Sequence, residues 1–191
     1  AIKIKTKSPI VLIASYNLLK LQMVKLKFKK KIKILDIEKI KKYKINNDVI
    51  NLIDINYTQK KPFEKISKKS NKYISQCFLI ATKLIKQGFT DKFINGPISK
   101  KTFLKKRNLG ITEYMSDKFL IKNTAMLIFN KELSVCPLTT HLPIKYVSKK
   151  INKKLIIDKI KLIIRFYKQN FKLKPRIAVL GLNPHCETIA R

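Results

Sequence analysis

Acidic side chains are scarce in this sequence: 11 Asp and Glu stand against 44 Lys and Arg, for a formal charge of +33 over 191 residues. Cysteine is sparse too. Cys77, Cys136 and Cys186 are too few and too widely separated for a disulfide framework or a Cys-based zinc site. Their use fits a reducing cytoplasm, and Cys77 sits on an apolar helical face and reads as core. No stretch approaches the roughly 18 uncharged apolar residues of a membrane span, so no membrane partner is expected. The opening Ala1-Ile2-Lys3-Ile4-Lys5 has neither the apolar run nor the small-residue cleavage site of a signal peptide. It begins without Met, which sets the expectation that the true N-terminus lies upstream. Neither a Gly-x-Gly-x-x-Gly fingerprint nor a Walker A loop is present, which argues against a standard Rossmann dinucleotide site and against a P-loop.

The charge has two readings. A basic surface for nucleic acid or an anionic membrane is the sharp one. Compositional drift is the bland one and is preferred. The cations are overwhelmingly Lys, Ile and Asn are also abundant, and all three have AT-rich codons. The lysines are scattered through every segment, without the interleaved aromatics that a single-strand binding platform uses. Either way the field favours anionic small molecules.

Hydrophobic residues make up 45% of the chain, enough for a real core. Short apolar runs alternate with helical patterns. Residues 9–14 and 32–35 read as buried strands, and residues 16–26 as a helix with Leu18, Leu19, Met23 and Leu26 on one side. Residues 36–62 are ambiguous. Within them Asn46-Asn47-Asp48 marks a turn, and residues 49–55 suit a strand. The clearest helix is 66–87, where Ile74, Cys77, Phe78, Ala81, Leu84 and Ile85 recur at helical spacing and Gly88 supplies a stop. A strand over 91–94 leads to Asn95-Gly96-Pro97, and Ser99 is placed to cap a helix through Arg107. Two strands, 124–129 and 133–136, are joined at Asn130-Lys131. A second strong helix spans 152–171, and a buried strand covers 177–180. Strands alternating with helices indicate an α/β fold, with no repeat and no linker to mark a domain boundary.

In open α/β sheets, sites form beyond the carboxyl ends of strands. Three polar segments follow predicted strands: Asn95-Gly96-Pro97-Ile98-Ser99-Lys100, Thr139-Thr140-His141-Leu142-Pro143 and Gly181-Leu182-Asn183-Pro184-His185. The only two histidines, His141 and His185, lie in such loops, each beside a proline that stiffens it. Neutral imidazole is a common metal ligand, so the pair could share one divalent ion; two hydrogen-bonded loop histidines is the plainer reading. The first segment offers a helix start that could cradle an anion, with Lys100 adding charge, or it is an ordinary capped helix. In Gly110-Ile111-Thr112-Glu113-Tyr114, Thr112 either hydrogen-bonds a substrate or caps the helix that follows, the cap being favoured.

Taken together and in order, these segments, with Pro175-Arg176-Ile177-Ala178-Val179-Leu180 leading into the last, resemble the 4-hydroxythreonine-4-phosphate dehydrogenase family of vitamin B6 biosynthesis. The resemblance is clear from about residue 89 onward and faint before it. It implies a three-layer α/β/α fold similar to isocitrate and isopropylmalate dehydrogenases, a homodimer, NAD or NADP, and a divalent metal (Zn, Mg or Co) held by three histidines. By motif match His141 and His185 are two of the three, and Thr112 is a substrate contact. The implied reaction is oxidation and decarboxylation of 4-phosphooxy-L-threonine, a small phosphorylated hydroxy acid.

The departures are specific. Ile111 stands where the family has a substrate-binding histidine. The family's Gly/Pro-rich opening motif is missing, and the family chain continues past Asn-Pro-His, carrying the third metal histidine and further substrate-binding residues. Residues 1–191 are therefore expected to be one partial α/β region of a longer dehydrogenase. Ile111 keeps open a related enzyme for another phosphorylated four-carbon acid. A basic nucleic-acid-binding module is the alternative from a different class.

Overall fold

The structure is a computed structural model that describes residues 6–104 and 110–181. Contacts group the chain into two compact units, Ala1–Arg107 and Asn108–Arg191.

The first unit is built on a parallel three-stranded sheet. Its strands are β1 (Val11–Ala14), β2 (Ile32–Ile34) and β3 (Ile50–Asp54), in the order β1-β3-β2. Val11 pairs with Asn51 and Ile32 with Ile50. The middle strand of a parallel sheet is covered on both faces and carries a continuous buried run. Ile50, Asn51, Leu52 and Ile53 behave accordingly, with Leu52 at 0% and Asn51 at 1% exposure. Strand alternation then gives each face its own core. Ile50 and Leu52 pack with Leu19 and Met23 of α1 (Tyr16–Lys25), while Ile53 packs with Leu35, Ile40 and Leu84. Asn51 can occupy the centre because its amide donates to the carbonyls of Ile10 (3.2 Å) and Asn46 (2.7 Å).

Leu84 belongs to α2 (Asn71–Lys86), whose buried stripe of Phe78, Ala81 and Leu84 follows the predicted spacing. The helix starts at Asn71 rather than 66, after a 3-10 turn at Lys68–Ser70. Gly88 ends it as expected. Its φ of 69° suits a residue without Cβ. The N–H of Phe89 then reaches back to the Leu84 carbonyl at 3.0 Å, closing the left-handed cap. Phe78 stacks on Phe103 with ring centroids 5.7 Å apart, which anchors α3 (Lys100–Phe103) within this unit.

The second unit holds α4 (Ile111–Phe119), α5 (Val147–Lys150) and α6 (Lys153–Phe171). Between α4 and α5, residues 124–136 form a hairpin-like excursion. Phe129 lies flat on Phe171 (5.1 Å, 8°), and Tyr167 shares a 3.0 Å hydrogen bond with the Ser134 hydroxyl. This layer of aromatics holds the excursion against α6, whose 152–171 prediction is met with Asn152 as cap.

Several expectations are corrected. Residues 91–94 and 177–180 are not strands. No strand pairs with them among the described residues, and Ile94 (88%) and Leu180 (87%) are exposed rather than buried. The paired strands 124–129 and 133–136 reduce to one antiparallel bridge, Ile128 to Val135. The helix predicted from Ser99 to Arg107 is described only over Lys100–Phe103, and residues 105–109 lie outside the described set.

Candidate functional site

The second unit brings together a helix start and a loop. Gly110 is the N-cap of α4, with an extended backbone and no side chain to offer, and its carbonyl takes the Tyr114 N–H at 3.1 Å. The capping role favoured for Thr112 is therefore corrected: Thr112 lies inside the first turn, half-buried. That frees its hydroxyl from the duty of an N-cap.

Glu113 occupies the third helical position. A glutamate there ordinarily folds back to accept the N-cap N–H. Here one oxygen, Oε1, takes the Thr140 hydroxyl at 3.1 Å, while Oε2 is shut off from solvent without a hydrogen-bond partner. A buried carboxylate oxygen left unsatisfied costs about 1–3 kcal/mol, more if charged, so its surroundings matter. They are set by Gly110. A Cβ on that glycine would stand 2.6 Å from Glu113 Oε2 and 3.2 Å from His141 Nε2. An imidazole nitrogen and an unsatisfied carboxylate oxygen thus converge over one bare α-carbon, and any larger residue at 110 would displace them.

His141 is carried by the loop that leaves the bridged hairpin. Its φ is 55°, a left-handed conformation that non-glycine residues adopt only where surroundings impose it. The residue is otherwise exposed. The donor chemistry fits a cation: a neutral imidazole contributes a lone pair, and Glu113 Oε2 contributes an acceptor with nothing bonded to it. Among the described residues no cluster of three His, Cys, Asp or Glu completes such a site. His185 lies outside the described residues, so its expected meeting with His141 does too.

The remaining predicted positions separate by unit. Ser99 caps α3 as expected, accepting the Thr102 N–H. Lys100 follows it in the first unit, whereas Thr112 and His141 belong to the second. Ile111 opens α4 half-buried, an apolar side chain at a position where the resemblance calls for a histidine. Glu113 and Thr140 lie within these motifs, and nothing in the sequence alone assigns either a role. The spacing from Gly110 to Glu113 was a visible hint of a helix start with a returning carboxylate. In the first unit, an open cavity of about 550 Å³ lies just past β3, lined by Asp54, Tyr57, Lys69, Lys72, Tyr73 and Gln76 among others. Burial pushes the Tyr73 hydroxyl up to about 12 there.

Comparison with known proteins gives the geometry a context. A relative from Sulfurihydrogenibium, a 4-hydroxythreonine-4-phosphate dehydrogenase, is 36% identical over 156 residues, covering 76% of this chain and 47% of its own length. The protein of the same name from Aquifex aeolicus is 34% identical over 170 residues, 87% of this chain and 50% of that one. The chain thus spans about half the length of the curated relatives it matches. The crystal structure of 4-hydroxythreonine-4-phosphate dehydrogenase from Klebsiella pneumoniae superposes with a TM-score of 0.78 at 22% identity, covering 95% of this chain and 57% of that one. The fold is accordingly the α/β arrangement, parallel sheet with helices, of those structures. Since the pyridoxal phosphate biosynthetic protein PdxA family matches residues 5–188, nearly the whole length, the chain belongs to that family.

Proposed function

We propose that this chain serves a dehydrogenase of pyridoxal phosphate biosynthesis that oxidises and decarboxylates 4-phosphooxy-L-threonine, with NAD or NADP accepting the hydride. The observation that carries the reading is the convergence of His141 Nε2 and Glu113 Oε2 over Gly110, beside Thr112, in a member of the PdxA family. The finer fold is the three-layer α/β/α of the isocitrate and isopropylmalate dehydrogenases, and the working assembly is a homodimer. A cytoplasmic setting suits the free thiols of Cys77 and Cys136. Among the described residues no helix is long and apolar enough to cross a membrane.

His141 and, by motif match, His185 would hold a divalent cation (Zn, Mg or Co). Such a cation supplies the positive charge that makes an alkoxide accessible at the substrate's secondary hydroxyl. Thr112 presents a hydroxyl free of capping duty, able to hydrogen-bond substrate and orient it. The excess of lysine favours encounter with a phosphorylated acid. Oxidation of the hydroxyl gives a β-keto acid, which loses CO2.

Ile111 favours one neighbouring reading, a dehydrogenase for another phosphorylated four-carbon acid. A half-buried hydrogen-bonding position replaced by isoleucine withdraws one polar contact, and such contacts govern discrimination between analogues. Turnover assays of the full-length protein on 4-phosphooxy-L-threonine and on phosphothreonate, each with NAD and NADP, test both. The expected result is reduction of the nicotinamide with the first substrate; absence of turnover with it, under metal saturation, overturns the assignment.

A further inference from the structure

In an open parallel sheet, ligands bind beyond the carboxyl ends of the strands, where neighbouring strands send their connections to opposite faces. The first unit has such a point. Its adjacent strands β1 and β3 run parallel. The chain leaving β1 enters α1, which packs with Ile50 and Leu52 on one face, while the chain leaving β3 leads to α2, which packs with Ile53 on the other. The open cavity of about 550 Å³ lies at this divide, between the exit of β3 and the first half of α2. Its volume is that of an ordinary small-molecule site, about 300–1,000 Å³. One wall is aromatic and held in place. Tyr57 and Tyr73 are stacked with ring centroids 4.6 Å apart. The Tyr73 hydroxyl accepts the Ser15 N–H at 3.1 Å, and the Ser15 hydroxyl donates to the Tyr57 carbonyl at 2.6 Å. Asp54 is fixed as well, its Oδ1 taking the Tyr16 N–H at 2.7 Å. The other polar lining is uncommitted: among the described residues the ammonium groups of Lys69 and Lys72 and the Gln76 amide make no hydrogen bond or ion pair.

We propose that this cavity binds a phosphorylated sugar or polyol, with the phosphate on Lys69 and Lys72, the hydroxyls on Asp54 and Gln76, and the carbon skeleton along the tyrosine wall. An ammonium group is a compact charge suited to a phosphate oxygen. A carboxylate only accepts, so Asp54 selects donors such as hydroxyls, as an acidic residue does with ribose in dinucleotide sites. The Gln76 amide both donates and accepts. Asp54 would repel a bare multivalent anion, whereas a ligand with a phosphate at one end and hydroxyls at the other meets both signs of charge. The cavity is built by the first unit alone, and Thr112 and His141 belong to the second, so loss of the dehydrogenase reading would leave it standing.

The test is NMR titration of the ¹⁵N-labelled full chain with ribose 5-phosphate, inorganic phosphate and ribose. Salt is held at about 0.15 M, where the Debye length is about 8 Å and diffuse attraction is screened. The expected result is saturable shifts centred on residues 54–57 and 69–76, with ribose 5-phosphate bound more tightly than either of its halves. Lys69→Gln combined with Lys72→Gln should weaken binding by about tenfold or more, the loss of a charge-assisted contact. The charge-matched pair Lys25→Gln with Lys86→Gln should leave it unchanged. Gln76→Trp adds bulk inside the cavity without altering charge and should abolish binding. All five positions are exposed, so each variant is expected to keep its fold, which circular dichroism checks. Equal weakening by the two lysine pairs, or binding that survives Gln76→Trp, would mean attraction to the overall charge alone and would overturn the proposal. An absence of saturable shifts overturns it too, as does ribose 5-phosphate bound no better than inorganic phosphate.

Discussion

Gly110 shows how one missing side chain can define a site. Its backbone is extended, so alanine is conformationally acceptable there; the obstacle is space, with Glu113 Oε2 at 2.6 Å and His141 Nε2 at 3.2 Å from the new methyl. Gly110→Ala should therefore push the carboxylate and imidazole aside at a stability cost below about 1 kcal/mol, because both are the ends of flexible side chains rather than packed core, while cation affinity falls by more than that destabilisation explains. Calorimetric zinc titration beside a denaturant melt checks the contrast, and unchanged affinity would refute it. Tyr73 offers a second prediction at this scale. Its hydroxyl takes the Ser15 N–H at 3.1 Å, and burial raises it from 10.0 to about 12. A raised folded value means the fold favours the neutral phenol. That stability is fully present below pH 10 and is lost as pH climbs toward 12. Compared with wild type, Tyr73→Phe should lose less stability between pH 10 and 12, measured as the difference between their urea midpoints across that window. Subtracting the two cancels the titration of the many lysines. At this scale His141 was legible, since a rare histidine in a loop after a predicted strand draws notice. Glu113 was not, because its unsatisfied oxygen exists only once Thr140 and Gly110 are folded around it.

Elements were legible where their own sequence satisfies them. The helix α1 needs little beyond Ser15, which accepts the Leu18 N–H at 3.3 Å and donates to the Tyr57 carbonyl at 2.6 Å. Because this hydroxyl is buried and joins the helix start to the chain beyond β3, Ser15→Ala should cost about 1–3 kcal/mol, combining a lost cap with an orphaned carbonyl. A shift of the urea midpoint measures it; a change below about 0.5 kcal/mol, the range of ordinary surface substitutions, would mean the cap is dispensable. The helices α1, α2 and α6 and the strands β1, β2 and β3 all announced themselves through internal periodicity or short apolar runs. Residues 177–180 carry an equally apolar run and residues 91–94 end in Phe93-Ile94, yet neither segment is a strand. A helix closes its hydrogen bonds within itself, whereas a strand takes them from a neighbour, and no sequence run states whether that neighbour is there. The 124–136 excursion makes the same point in part: two apolar segments were visible, but only Ile128 and Val135 exchange backbone hydrogen bonds, and it is the aromatic packing of Phe129 on Phe171 that holds them.

At the scale of the whole chain, charge is the dominant physical fact. A net +33 repels itself, and lysines appear in almost every element: Lys25 in α1, Lys33 in β2, Lys83 in α2, Lys118 in α4, Lys150 in α5 and Lys168 in α6. A distribution of this kind, without concentration on one element, fits compositional drift; a groove built for a polyanion is the alternative. The two origins respond differently to salt. The Debye length shrinks from roughly 30 Å at 0.01 M to about 8 Å at 0.15 M, so diffuse repulsion should be relieved over that range. The melting temperature should then rise with sodium chloride, by about 2–4 °C for each kcal/mol of repulsion removed in a chain of this size. Binding to duplex DNA should stay within the non-specific range, with Kd no tighter than about 10⁻⁶ M at physiological salt. A nucleic-acid-binding module would instead bind a preferred sequence or structure well below that value, typically about 10³–10⁷ tighter than its non-specific background. Thermal melts and fluorescence anisotropy across one salt series separate the two, since screening stabilises the fold while it weakens any polyanion complex. Submicromolar binding that discriminates between sequences at 0.15 M salt would return the lysines to function.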